Sequence, residues 1–109
     1  LMEDERVLAA VRELHAAGKP TAAICAAPMV LAKAGVVQGV AVTSHPSVRG
    51  KLGGALERPA ERVVRSGNVI TSQGPGTAIE FALALVAELV GPGKAKELAA
   101  GMVVQAPSI

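Results

Sequence analysis

Two side chains of this 109-residue sequence could carry out nucleophilic chemistry together, Cys25 and His45. Cys25 follows the short apolar run 20–24 and precedes the segment 26–28, Ala-Ala-Pro, so the pattern predicts a strand that turns sharply into a helix. The N-terminus of such a helix favours the thiolate, which is the more nucleophilic and more easily oxidised form of the sulfur. The alternative interpretation is a buried structural cysteine among alanines.

His45 lies twenty residues after Cys25, directly behind a predicted strand over 39–43. Neighbouring parallel strands bring their carboxyl ends to one edge of a sheet, so Cys25 and His45 are expected to lie close together. An imidazole there would take or stabilise the proton of the thiol. On spacing alone, an exposed loop histidine before Pro46 is the alternative.

A third segment, 71–77, runs from a predicted strand through the Gly-rich turn Gln73-Gly74-Pro75 toward a helix. Such a turn resembles an anion cradle at a helix N-terminus. The glycine and lysine spacings of phosphate-binding loops are missing, so a nucleotide site is not expected. A turn followed by a helix cap is the favoured interpretation, because Thr77-x-x-Glu80 has the spacing of a capping box.

The elements that position these residues follow from apolar periodicity and from glycine and proline breaks. We predict helices over 3–17, 27–35, 77–90 and 94–100, strands over 20–24 and 39–43, a hairpin of 62–65 with 68–72, a loop with one helical turn over 47–60, and a terminal strand over 102–104. The strand 20–24 is apolar without alternation, which predicts cover on both faces. The helix 77–90 is expected to bury one face, formed by Ile79, Ala82, Leu83, Val86, Leu89 and Val90. The order of elements indicates an α/β layered domain.

Composition excludes several classes of function. The net charge is +2 with interspersed charges, which gives nucleic-acid or membrane binding no electrostatic support. One phenylalanine, no tyrosine and no tryptophan argue against base-stacking modules. A single cysteine excludes an internal disulfide and a cysteine-based zinc site, and it fits a reducing compartment, so we expect a cytoplasmic protein without a metal.

Three segments in order carry a family resemblance: Ala22–Pro28 around Cys25, Thr43–Pro46 around His45, and Ile70–Thr77 followed by Glu80–Val86. Together they resemble the ThiJ/PfpI superfamily, on the branch of the Parkinsonism-associated protein deglycase. The resemblance implies a flavodoxin-like three-layer sandwich with a mostly parallel sheet, and a homodimer. It also implies that residues 1–109 form the C-terminal portion of a single domain.

The resemblance further implies roles for individual residues. Cys25 matches the nucleophilic, oxidation-prone cysteine, and His45 matches the histidine across the pocket from it. The backbone N–H of Ala26 matches an oxyanion donor. The remaining pocket positions are Ala27, Gln73, Gly74 and Pro75. Gln73 stands where the branch often has arginine, so an anion-binding charge is lost there or supplied elsewhere.

The activity that the resemblance implies is a cofactor-free, cysteine-dependent glyoxalase or deglycase, acting on methylglyoxal or early glycation adducts. One alternative is a non-enzymatic peroxide sensor or stress chaperone that uses oxidation of Cys25. A second is a cysteine peptidase, although the Gly-x-Cys-x-Gly pattern of amidotransferase-like hydrolases is missing.

The front part of the family domain has no counterpart in this sequence. That part carries an acidic residue that hydrogen-bonds the thiolate and a glycine of the oxyanion site. We therefore expect either that the chain is a fragment or that a separate chain supplies the front part of the domain.

Overall fold

The computed structural model describes residues 3–104 as alternating helices and strands. The helices are α1 Glu5–Ala16, α2 Pro28–Ala34, α3 Ala78–Leu89 and α4 Pro92–Gly101, and the strands are β1 Thr21–Ile24, β2 Ala41–Val42, β3 Leu56–Glu57, β4 Val63–Ser66 and β5 Val69–Ser72. Two short 3-10 turns, Pro46–Val48 and Pro75–Thr77, follow the segments that carry His45 and Gly74. Within the described residues no helix is long and apolar enough to cross a membrane.

The main sheet has the strand order β1-β5-β4. β1 runs parallel to β5, with Thr21 opposite Val69 and Ile24 opposite Ser72, so both strands end at the same sheet edge. The predicted hairpin is confirmed: β4 and β5 are antiparallel and are joined through Gly67, whose φ is 59°. β2 and β3 form a separate parallel pair.

The core is built from small apolar side chains, as expected for a sequence dominated by alanine and valine. One buried cluster joins α2, the strands and the loops between them: Ala23, Leu31, Val37, Val42, Val48, Leu52 and Val69. All four residues of β5 are buried, because this strand lies at the centre of the sheet. In β1, Ala22 is exposed between the buried Thr21 and Ala23, so the predicted cover on both faces of this strand is wrong. β1 is an edge strand of the described sheet, and only one of its faces is packed.

The predicted buried face of α3 is also wrong. Leu83, Ala84 and Ala87 are the buried residues of this helix, whereas Ile79 and Leu89 are 54% and 68% exposed. α3 is apolar around most of its circumference, so periodicity alone could not select its contact face. α3 packs on α4, whose own buried residues are alanines, Ala95 and Ala99, and it also contacts β4 and β5. Small side chains on both helices allow a close approach.

Three further predicted elements differ in extent or type. The terminal strand over 102–104 is wrong: Met102 and Val104 donate backbone hydrogen bonds to Leu98 and Ala99 and so close the C-terminal end of α4. The strand over 39–43 shortens to two residues, Ala41–Val42. The segment 47–60 contains β3 in addition to the end of a 3-10 turn. Short apolar runs carry no information about which distant backbone groups are available to pair with them.

Candidate functional site

Cys25 occupies the turn between β1 and α2, with its backbone in the left-handed region at φ 66°. Two strand ends hold it there. Its N–H donates to the carbonyl of Ser72 at 3.1 Å, and its own carbonyl accepts the N–H of His45 at 2.7 Å. The residue is half-buried and its thiol is free. A non-glycine residue in this conformation is strained, and the strain persists here because neighbouring strands hold both backbone groups.

His45 therefore lies beside Cys25, although β1 pairs with β5 and not with β2, and the contact is a hydrogen bond between backbone atoms. Its ring is oriented by Ser47, whose N–H donates to Nδ1 at 3.1 Å and whose Oγ lies 2.7 Å from the same atom. A backbone N–H can only donate, so Nδ1 is an acceptor and the neutral ring carries its proton on Nε2. Neutral His45 therefore carries an N–H at Nε2, which can donate a hydrogen bond but cannot accept a proton.

Backbone donors next to Cys25 are scarce. The N–H of Ala27 donates to the carbonyl of Ile24 at 3.1 Å, and Pro28 has no N–H. Within residues 3–104, no protein group accepts the N–H of Ala26, and this residue is exposed. The N–H of Ala26, directly after Cys25, is therefore available to donate to a developing oxyanion.

The Gln73-Gly74-Pro75 turn lies near the His45 ring. A Cβ added to Gly74 would lie 3.5 Å from Cδ2 of His45. The backbone N–H groups of Gln73 and Gly74 both donate to Oγ1 of Thr77, at 3.2 and 3.1 Å, and Pro75 has no N–H. The side-chain amide of Gln73 donates through Nε2 to the carbonyl of Pro59 at 3.0 Å. Because these donors are already used, the turn does not form an anion cradle.

The guanidinium of Arg49 lies near Gln73. Nη2 of Arg49 donates to the carbonyl of Pro59 at 3.1 Å, and this is the oxygen that also accepts the Gln73 amide. A guanidinium therefore lies near the glutamine that occupies the position where arginine is frequent in the resembling branch.

The capping box predicted from Thr77 and Glu80 is wrong. Thr77 precedes α3, but its side chain makes no hydrogen bond to the first turn of that helix. The Glu80 carboxylate instead pairs with Arg62, with Nη2 and Oε1 2.7 Å apart, and Arg62 also donates to the carbonyl of Gly76 at 2.8 Å. The hydrogen bond from Arg62 lowers the pKa of Glu80, and Glu80 in turn raises the pKa of Arg62.

Local pattern missed the hydroxyl residues that hold this site together, Ser47, Ser72 and Thr77. A signal existed for Ser47, because a polar side chain two residues before it can accept its N–H at the start of a turn. The sequence pattern predicts only that Ser72 ends a strand and that Thr77 caps a helix. The Thr77 hydroxyl bonds residues three to five positions before it, and Ser72 donates to the carbonyl of Arg62 ten positions before it, so the folded turn and not the spacing pattern decides these partners.

The site can be compared with known proteins. Residues 1–88 match the DJ-1/PfpI family, which confirms the resemblance. Protein dj-1beta of Drosophila melanogaster is 47% identical over 95 residues, covering 86% of this chain and 51% of that protein. Glutathione-independent glyoxalase DJR-1.2 of Caenorhabditis elegans is 48% identical over 77 residues (70% and 41%), and isonitrile hydratase of Pseudomonas putida is 39% identical over 92 residues (84% and 40%).

Solved structures give the same result. The crystal structure of Drosophila melanogaster DJ-1beta superposes with a TM-score of 0.92 at 44% identity, covering 96% of this chain and 57% of that one. An oxidised DJ-1 of Toxoplasma gondii superposes with a TM-score of 0.87 at 34% identity, with coverage of 96% and 57%. The α/β, flavodoxin-like fold expected from the sequence is confirmed. The chain spans about half the length of the relatives that it matches.

Proposed function

This chain belongs to the DJ-1/PfpI family, and on that premise we propose that it carries the reactive site of a cofactor-free, cysteine-dependent glyoxalase or deglycase. The substrate class is a small dicarbonyl such as methylglyoxal, or an early glycation adduct. Support comes from a relative described as a glutathione-independent glyoxalase, which is 48% identical over 77 residues.

The observation that carries the proposal is the backbone of Cys25. The left-handed turn at φ 66° is held from both sides, by the Ser72 carbonyl and the His45 N–H. A structural cysteine has no need of a strained backbone, whereas a nucleophile that must project from a strand end does. Residues held in this way cluster at reactive sites.

The reaction begins with attack of the Cys25 thiolate on the aldehyde carbon of the dicarbonyl, which forms a C–S bond and an oxyanion. Protonation gives a hemithioacetal. The former aldehyde carbon then loses its hydrogen as a proton and the neighbouring carbonyl carbon gains a proton, through an enediol, which leaves a thioester of a 2-hydroxy acid. Water cleaves the thioester, releasing the hydroxy acid and the thiol. Water is the only co-reactant.

Two neighbours have defined parts in this sequence. The free N–H of Ala26 donates to the oxyanion formed in the first step. His45 donates a hydrogen bond from its Nε2 N–H to an oxygen of the adduct, because Ser47 keeps Nδ1 as an acceptor. The neutral ring cannot be the first base at Nε2, so the proton from carbon goes to a group outside this pair.

We propose that the base that takes this proton belongs to the front part of the family domain, which has no counterpart in residues 1–109. We propose that residues 1–109 are the C-terminal portion of one domain, completed by further sequence or by a separate chain, and that the complete protein is a cytoplasmic homodimer. In support, β1 is an edge strand of the described sheet. A groove of about 470 Å³ lies between α1 and the start of β1, and Val7, Val11 and Leu14 line it.

The test follows the production of hydroxy acid from methylglyoxal by NMR in three variants, with His15→Ala as the matched control for His45→Ala. Cys25→Ser is expected to abolish turnover. His45→Ala is expected to slow it, whereas His15→Ala, which removes the other histidine of the chain, is expected to leave it unchanged. Undiminished turnover by Cys25→Ser would remove the proposed function.

A second candidate is a peroxide sensor or stress chaperone in which the chemistry ends at Cys25. The structural relative described as oxidised favours it. In this reaction each peroxide transfers one oxygen to the sulfur and is reduced to water, giving the sulfenic and then the sulfinic acid. Mass spectrometry after mild peroxide treatment is expected to place two oxygens on the peptide that carries Cys25. Oxidation of the methionines before the cysteine would count against this function.

A further inference from the structure

The hydroxyl of Thr77 is the centre of a buried hydrogen-bond cluster beneath the site. Oγ1 lies 2.6 Å from Oγ of Ser72, 3.2 Å from the N–H nitrogen of Gln73 and 3.1 Å from that of Gly74. Its distance to the carbonyl oxygen of Gly74 is 3.0 Å. Both Thr77 and Ser72 are buried, so these polar groups depend on one another for their hydrogen bonds.

The direction of each hydrogen bond follows from what each group can do. Ser72 Oγ lies 2.6 Å from the carbonyl oxygen of Arg62, which can only accept, so Ser72 donates there. Ser72 then accepts at its 2.6 Å contact with Thr77, and the Thr77 hydroxyl also donates to the carbonyl oxygen of Gly74 at 3.0 Å, so its one proton is shared between these two acceptors. Thr77 accepts from the two backbone N–H groups. The result is one chain of donors running from the Gln73-Gly74 turn through Thr77 and Ser72 to Arg62.

This chain reaches both reactive residues. The carbonyl of Ser72 accepts the N–H of Cys25, so the position of Ser72 determines where the strained turn is held. At the other end, Gly74 lies near the His45 ring, where an added Cβ would be in van der Waals contact with Cδ2. A single hydroxyl thus ties the residue that anchors Cys25 to a residue next to the His45 ring.

We propose that Thr77 is a positioning residue of the Cys25 site, acting through Ser72 and Gly74 and not as the cap of α3. The inference rests on the proposed function, because it assigns to Thr77 the task of holding the nucleophile and the hydrogen-bond donor in register. Loss of its hydroxyl leaves the buried N–H of Gly74 and the partly buried N–H of Gln73 without an acceptor, and the turn must move to satisfy them.

The test uses Thr77→Val, which removes the hydroxyl at nearly constant shape, and Thr77→Ser, which keeps it. Thr43→Val is the matched control: Thr43 is also buried, but within the described residues its hydroxyl has no hydrogen-bond partner. Two quantities are measured for each protein: the amide hydrogen-exchange rate of Cys25 by NMR, and the rate of alkylation of the Cys25 thiol by iodoacetamide.

We expect Thr77→Val to raise the exchange rate of the Cys25 amide and to change the alkylation rate, each by about tenfold. Thr77→Ser is expected to restore both, and Thr43→Val to change neither. If Thr77→Val does not fold, Ser72→Ala, which removes the acceptor of the Thr77 proton, is measured instead with the same expectation for exchange. Exchange at Cys25 that is the same in the Thr77 and Thr43 variants would overturn the inference.

The exchange measurement also keeps this inference separate from the proposed function. Complete wild-type protein, with the front part of the domain present, that gives no hydroxy acid from methylglyoxal contradicts the proposed function, whereas the exchange rates still show whether Thr77 holds the Cys25 turn.

Discussion

We predict that Cys25→Gly has a higher free energy of unfolding than Cys25→Ala, although glycine at the end of a strand is usually the less stable of the two. Both variants lack the sulfur, so they differ only in the Cβ. The backbone at Cys25 has φ 66°, and within the described residues only Val103 shares a positive φ among the non-glycine residues. A Cβ in this region approaches the following carbonyl oxygen, which is the cost that glycine avoids.

The magnitude follows from two opposing terms. Relief of the left-handed conformation is worth roughly 1–2 kcal/mol per residue. The greater freedom of glycine in the unfolded chain costs roughly 0.5–1 kcal/mol. Cys25→Gly is therefore expected to exceed Cys25→Ala in free energy of unfolding by about 0.5–1 kcal/mol. At Ala22, an exposed strand residue with ordinary φ, only the second term applies, so Ala22→Gly is expected to lose about 0.5–1 kcal/mol.

The assay is urea unfolding of the four proteins, with thermal unfolding as a second measurement. A difference of 1 kcal/mol corresponds to roughly 4–8 °C in a domain of this size. The opposite signs at positions 25 and 22 are the diagnostic result, because a general effect of glycine would lower stability at both. If Cys25→Gly is less stable than Cys25→Ala by the same amount as at position 22, the turn carries no strain and the main support for the reactive cysteine is lost.

Three further predictions concern stability. Val103→Gly is expected to raise the free energy of unfolding by about 0.5–1 kcal/mol, because Val103 has φ 56° and is 92% exposed; an unchanged urea midpoint would contradict this. Leu83→Pro, in the middle of α3, is expected to cost about 3 kcal/mol or more in the same measurement, and a smaller loss would mean that the helix is not formed there. Arg62 lowers the pKa of Glu80 in the folded protein, so their ion pair stabilises the fold at pH values above the ordinary glutamate pKa of about 4.3. Glu80→Gln is therefore expected to lower the thermal midpoint at those pH values. The stabilisation is lost as the pH falls from about 4.3 through the lowered pKa of folded Glu80. The wild-type and Glu80→Gln midpoints should therefore converge in acid, and a constant gap between them would refute the linkage.

The sequence predicts that Cys25 and His45 lie close together, but the strand pairing it suggests is not the one that brings them together. Cys25 after an apolar run and His45 after the next one had to meet if their strands ended at one edge. They do meet, but for a different reason. β1 pairs with β5 and not with β2, and the contact is a backbone hydrogen bond between the two residues.

The hydrogen-bond partners of Thr77 and Glu80 could not be predicted from their spacing. That spacing is typical of a capping box, yet Thr77 bonds Ser72, five residues before it, and Glu80 pairs with Arg62, eighteen residues before it. The contact face of α3 could not be predicted either, because this helix is apolar around most of its circumference. The tautomer of His45 follows from the backbone N–H of Ser47, which is invisible until the 3-10 turn is seen.

The most direct test of the account is the reactivity of Cys25, which is the only cysteine of the chain, so alkylation reports on one atom. The rate of reaction with iodoacetamide at neutral pH is measured for the folded chain and for the same chain unfolded in urea. The account predicts faster alkylation of the folded chain, because the turn presents the sulfur as a nucleophile. Equal or slower alkylation of the folded chain would contradict it, and Cys25 would then be a structural cysteine in this polypeptide.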